Sequence, residues 1–178
     1  FGIISMHNPL AMFSAVSIAL IIPSFATVQM ASATMARQIL DKEQQKVSTS
    51  TFTAPSYHLG TIQHIVLFKY KKSVSPSQIK EVRQRFLALK TEAKRNGKPY
   101  ITRLEAGAQN SGEGADRDFQ EGFIVTFRSE GDRNYYVGSP VVTDSKFFDP
   151  AHQKFKDFVG PLLAEKDGVL VFDFKGEK

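Results

Sequence analysis

The chain is expected to fold as an α+β domain, a four-stranded antiparallel sheet with its helices on one face. Three observations point that way. Segments of strand and helix character follow in the order strand, helix, strand, strand, helix, helix, strand, and runs of this kind build mixed rather than alternating layers. The first strand, Thr61 to Tyr70, is apolar on both faces at its middle, so both faces require cover. The helices suffice for one sheet face only. The other face is left apolar and uncovered, which predicts an interface, met most simply by a symmetric homodimer.

Thr61 to Tyr70 reads Thr-Ile-Gln-His-Ile-Val-Leu-Phe-Lys-Tyr. Period-2 alternation places Ile62, His64, Val66, Phe68 and Tyr70 on one face and Gln63, Ile65, Leu67 and Lys69 on the other. Ser75-Pro76-Ser77-Gln78 then opens a helix. Ser75 caps it, Gln78 can reach back, and Pro76 occupies the first position, where no N–H is needed. Ile79, Val82, Phe86, Leu89 and Ala93 recur at helical spacing, and Asn96-Gly97 is the stop signal. A second strand is expected over Tyr100 to Gln109, a polar Gly-rich loop over Asn110 to Asp118, and a third strand over Gly122 to Arg128. Ser129 caps a short helix from Gly131 to Val137 that carries Tyr135 and Tyr136. Asp149-Pro150 starts the last helix by the same logic, with Phe155, Phe158, Val159, Leu162 and Leu163 as its apolar positions. Val169 to Lys175 is the final strand. The plan is ferredoxin-like.

With 178 residues there is room for one domain and its core. The net charge of +5 is mild, and the basic residues are interspersed with acidic ones, so no basic stripe for nucleic acid is present. Gly122 to Phe127 superficially resembles an RNA-recognition strand, but Glu121 and Ile124 occupy positions where a basic residue and an aromatic are needed. The Asn110 to Asp118 loop lacks the phosphate-cradle pattern. The chain has no cysteine, which removes disulfides, thiolate nucleophiles and Cys-ligated zinc.

Before the domain, residues 1–33 read as an apolar leader. Leu10 to Ile22 has the length of a signal-peptide core and falls short of a membrane span; Ala31-Ser32-Ala33 supplies a small-x-small cleavage pattern. The competing reading is an untranslated or mis-joined leader with Met35 as working start, since the chain begins at Phe1 and the segment carries no Lys or Arg. The first reading implies secretion or membrane association, the second a cytoplasmic protein. Residues 34–60 are expected as a polar linker, with a short helix over Met35 to Lys46 and a Ser/Thr/Pro-rich stretch after it.

Four segments together resemble the stress-responsive A/B barrel (Dabb) family. They are Ile62-Gln63-His64-Ile65-Val66-Leu67-Phe68-Lys69, the helix ending near Gly97-Lys98-Pro99-Tyr100, Asp132-Arg133-Asn134-Tyr135-Tyr136-Val137, and Asp149-Pro150-Ala151-His152-Gln153-Lys154-Phe155. The ending Val171-Phe172-Asp173-Phe174 fits too, so the resemblance covers Thr61 to Lys175, within a domain taken as residues 61–178. It implies a dimeric α+β barrel. Most members have no assigned reaction, while one plant branch, olivetolic acid cyclase, closes a polyketide by aldol condensation without metal or organic cofactor. By that resemblance His64, Tyr135 and His152 carry over as candidate catalytic residues, with Tyr136 a neighbouring choice. A histidine can remove an acidic α-proton near neutral pH, a tyrosine hydroxyl can hold the resulting oxyanion, and a second histidine can position another carbonyl.

One departure from the family stands out. Residues 138–148 intervene between the tyrosines and the Pro-Ala-His segment, as a bulged loop or as a stretch foreign to the domain. If they cover the cavity, tyrosine and histidine need not converge. The bland readings are a hydrogen-bonded core histidine for His64, a loop contact for His152 and packing bulk for Tyr135. His7 and His58 are given no role, and no metal site or cofactor is expected. The expectation is therefore a homodimer that binds a small hydrophobic ligand, with a cofactor-free polyketide-cyclase-like enzyme as the alternative. No nucleic-acid partner is expected, and membrane contact only if the leader is retained.

Overall fold

The computed structural model describes the backbone of residues 25–176 and side chains from Met35 onward. The leader expectation therefore lies mostly outside the described residues. Its last part enters helix α1 (Phe25–Lys46), and among the described residues no helix is long and apolar enough to cross a membrane. The chain divides into two units, Phe1–Met35 and Ala36–Lys178, and the sheet belongs to the second.

After α1 the elements in order are α2 (Thr49–Phe52), β1 (Leu59–Phe68), α3 (Pro76–Glu92), the short hairpin β2 (Lys94–Arg95) and β3 (Lys98–Pro99), β4 (Arg103–Ala108), β5 (Glu121–Ser129), α4 (Glu130–Val137), α5 (Pro150–Val159) and β6 (Val169–Lys175). The main sheet runs β4-β5-β1-β6 and its pairs are antiparallel. Ser75 and Gln78 form the expected capping box on α3, and Val82, Phe86 and Leu89 are its buried stripe. Burying each such side chain favours folding by about 1.5–3 kcal/mol. Phe86 stacks on Phe123 of β5 with ring centroids 4.1 Å apart, which ties the helix layer to the sheet.

The helix-facing side of the sheet carries Ile62, His64, Val66 and Phe68 from β1 with Phe123, Val125 and Phe127 from β5, all buried. The register pairs Gln63 with Phe174, Ile65 with Phe172 and Leu67 with Leu170 on β6, and Ile65 with Ile124 on β5. These residues share the opposite face. There Phe172 is 58%, Phe174 43% and Ile124 37% exposed. The sheet therefore has one covered and one open apolar face, and His64 lies on the covered one.

Two stretches differ from expectation. Residues 34–60 are not a bare linker: α2 is capped by Ser48, Phe52 is fully buried, and Asn134 Nδ2 donates to the Phe52 carbonyl at 2.9 Å. Serine and threonine content suggested a solvated linker, but one aromatic in the run provides an anchor. Asn96 and Gly97, expected to end a helix, instead form the hairpin turn between β2 and β3, both with positive φ, the pairing favoured in tight hairpins.

Candidate functional site

The polar residues of the covered face gather around α4 and the start of α5. On β1, His64 lies opposite Asp173 of β6, and their side chains meet with Nδ1 2.6 Å from Oδ1. The carboxylate is the acceptor, so Nδ1 carries the proton in this bond. Arg133 of α4 donates to the other oxygen of Asp173 at 2.6 Å. Burial alone would raise the Asp173 carboxyl; the His64 hydrogen bond and charge, then Arg133, outweigh it and hold it below its ordinary 3.8.

His152 reaches the same region from α5. Asp149 caps that helix, accepting from the backbone N–H of Ala151 and His152, and also accepts the Tyr100 hydroxyl at 2.6 Å. Its own N–H donates to the Tyr135 carbonyl at 2.9 Å. That contact, Lys156 Nζ on the carbonyls of Val137 and Ser139, and His152 Nδ1 on the Tyr136 carbonyl at 2.6 Å close the base of the 138–148 loop. The loop is anchored by Val142, which is fully buried. The end of α4 and the start of α5 are therefore adjacent despite the intervening residues.

Within this frame Tyr136 is the central ring. It stacks on His152 with centroids 3.7 Å apart and planes 16° apart, and meets His64 edge-on at 5.7 Å. Exposure is 4% for His64, 1% for Tyr136 and 7% for His152. The Tyr136 hydroxyl has no hydrogen-bond partner among the described residues. Burial, with the Asp149 carboxylate adding, raises it well above the ordinary 10.0. His152 is held well below 6.5, first by burial and then by His64. It is therefore a neutral imidazole, and because Nδ1 donates to a carbonyl, Nε2 is the basic nitrogen. Such a set can accept a proton and hydrogen-bond a nearby oxygen.

Tyr135 lies on another side of α4. Its hydroxyl points toward the Lys94 carbonyl at 3.5 Å, and its ring takes the Arg95 guanidinium at 4.1 Å and Tyr100 edge-on at 5.5 Å. The structure thus brings His64 and His152 together around Tyr136, while Tyr135 packs against the β2–β3 hairpin. Sequence reasoning gave Asp173, Arg133, Tyr100 and Asp149 no part in the site. One signal was available for Asp173, a lone carboxylate in an apolar strand.

On the open face is a cavity of about 560 Å³, lined by Ile65, Leu67, Gly107, Gly122, Phe119 and Ile124 among others. No residue of the His64–Tyr136–His152 group lines it.

The family described as Stress Responsive A/B Barrel Domain matches residues 62–176. A dimeric ferredoxin-like protein of unknown function from Jannaschia sp. CCS1 is 21% identical over 66% of this chain and 100% of its own, with a TM-score of 0.50. Hydroxynitrile lyase from Passiflora edulis is 21% identical over 67% of this chain and 95% of its own, also with a TM-score of 0.50. A Dabb family protein with a ferredoxin-like fold from Mesorhizobium loti is 26% identical over 67% of this chain and 99% of its own, with a TM-score of 0.43. No curated protein matches the chain.

Proposed function

The chain belongs to the stress-responsive A/B barrel domain family, and from that premise we propose that it works as a homodimer binding a small hydrophobic ligand. The observation that carries this reading is the open sheet face, apolar from Phe172 through Ile65 to Ile124, with a cavity of about 560 Å³ set into it. Pockets of about 300–1,000 Å³ suit drug-sized molecules. A second copy laid on that face would bury the exposed phenylalanines and enclose the cavity. The Jannaschia protein, described as dimeric, shares the fold and is consistent with such pairing.

Gly107 offers a test. A Cβ built there meets nothing within 4 Å, so Gly107→Leu starts from open space at the cavity wall and takes up part of its volume. Titration with an environment-sensitive apolar fluorophore should give saturable binding to the native protein, weakened about tenfold or more in Gly107→Leu, since losing about 1.4 kcal/mol is a factor of ten. Equal binding by both proteins overturns the ligand assignment.

The unpartnered Tyr136 hydroxyl favours a second reading, cofactor-free acid–base chemistry of the polyketide-cyclase kind. His152 Nε2 takes an α-proton, the Tyr136 hydroxyl donates to the developing enolate oxygen, and His64, oriented by Asp173, positions a second carbonyl. In this reading Tyr136 replaces Tyr135, because its ring touches both histidines. The lyase from Passiflora edulis lends the fold alone at 21% identity. Incubating linear polyketide analogues with the native protein, His152→Ala and Tyr136→Phe separates the two readings. Turnover lost in both variants supports the enzyme; equal binding without turnover in all three sinks it.

A further inference from the structure

Away from the histidine pair, three donor side chains from three separate segments meet at one edge of the domain. Glu43 comes from the last turns of α1, His58 from the turn before β1, and Glu130 from the first turn of α4. One donor atom from each lies within 4.8 Å of the others. His58 Nδ1 is 3.1 Å from Glu130 Oε2. The Tyr57 ring stacks on the imidazole at 3.9 Å and 20°, restricting its rotation. The main chain holds the pair as well: the Glu130 N–H donates to the His58 carbonyl at 3.2 Å and the Gly131 N–H to the Tyr57 carbonyl at 3.1 Å.

Two carboxylates brought this close repel each other unless a cation joins them. The cation at hand is Lys175, whose Nζ lies 3.9 Å from Glu130 Oε1 and is half-exposed, a weak offset. An imidazole with two carboxylates is a nitrogen–oxygen set of borderline hardness. Calcium and magnesium prefer oxygen alone, whereas zinc takes such donors and leaves a fourth position for water. Zinc bonds of about 2.0–2.2 Å in a tetrahedron put ligand atoms about 3.3 Å apart. The His58–Glu130 spacing of 3.1 Å already approaches this, and a Glu43 carboxylate oxygen stands within 4.8 Å of both donor atoms.

We propose that Glu43, His58 and Glu130 form a binding site for a divalent transition-metal ion of the zinc type, which ties the end of α1 and the His58 turn to α4. The test is calorimetric titration of the full chain with zinc chloride after chelator treatment and dialysis. The native protein should bind zinc reversibly, with release by EDTA. Affinity should fall about tenfold or more in Glu43→Gln and in His58→Ala, the scale seen when support for a metal site is removed. Lys175→Met, which removes the competing cation, should bind more tightly than the native protein. Glu43→Gln keeps the side-chain shape, and circular dichroism confirms that each variant is folded. The proposal is overturned if the native protein takes up no zinc at micromolar concentrations, or if folded Glu43→Gln and His58→Ala bind it as well as the native chain does. The three side chains would then be a histidine–carboxylate ion pair and nothing more.

Discussion

His152 is a histidine that folding keeps uncharged. Stacked on Tyr136 and bonded to its carbonyl, it sits well below its ordinary 6.5, through burial and then His64. The unfolded chain therefore binds a proton at this position more readily than the folded one. The contribution to stability is whole above pH 6.5 and is lost as pH falls below it, by at most about 1.4 kcal/mol per pH unit. Asp173 works in a lower window. Held below 3.8, it adds stability above that value which is lost as pH falls further through its folded value. Urea unfolding at pH 7.5 and 5.5 should show the native protein weaker at the lower pH and His152→Gln with a flatter dependence; parallel curves would mean that His152 is charged or exposed. His64 was legible as a titratable group inside an apolar strand, and His152 only through the resemblance of its Pro-Ala-His segment to the family. The choice between Tyr135 and Tyr136 was not. Adjacent helical residues point about 100° apart, and which of them faces the sheet depends on how α4 docks.

Among the elements, α4 carries the most varied contacts. Ser129 caps it, Arg133 reaches Asp173, Tyr136 meets both histidines, and Asn134 holds the Phe52 carbonyl. Its second residue, Gly131, is chosen by space rather than by backbone conformation. A Cβ there would stand 1.8 Å from the Ala54 carbonyl oxygen, a main-chain atom that cannot swing aside. Gly131→Ala should therefore push the α2–His58 segment off α4, costing about 1–3 kcal/mol as overpacking does. Limited proteolysis reads this directly, with new cleavage between α2 and β1 in the variant and protection in the native protein; identical digestion patterns would refute the close packing. Helix starts were well marked in sequence, since the caps Ser75, Ser129 and Asp149 act within a few residues. The docking of α2 was hidden because it depends on one buried phenylalanine and on residues some 80 positions away. The 138–148 loop was equally opaque, because its closure rests on bonds to main-chain carbonyls, from Asp149 N–H, His152 and Lys156, that no composition reports.

At the scale of the whole molecule the open sheet face decides what the domain does alone. Alternation along β1 and β6 made both sheet faces legible as apolar, and the shortage of helices showed that one would stay bare. The side His64 takes was not legible, because β1 is apolar on both faces and only the docked helices distinguish them. The bare face centres on Ile65, flanked in register by Phe172 and Ile124. Phe172 is 58% exposed on an edge strand, so an acidic side chain there meets water in an isolated chain and costs little. In a sheet-to-sheet homodimer the same carboxylate would be buried without a partner, and a two-fold axis would place a copy in each subunit. Phe172→Glu should therefore weaken association strongly while leaving the chain folded. Sedimentation equilibrium should find the native protein as a dimer and the variant as a monomer with an unchanged circular dichroism spectrum. A variant that stays dimeric would place the interface elsewhere, and a native protein that is already monomeric would remove the reason for an apolar face of this kind. Gly107→Leu, set in the cavity wall, separates the ligand from the dimer: it should lose the fluorophore and keep the dimer, whereas Phe172→Glu should lose the dimer and, with the cavity opened to water, lose the fluorophore as well.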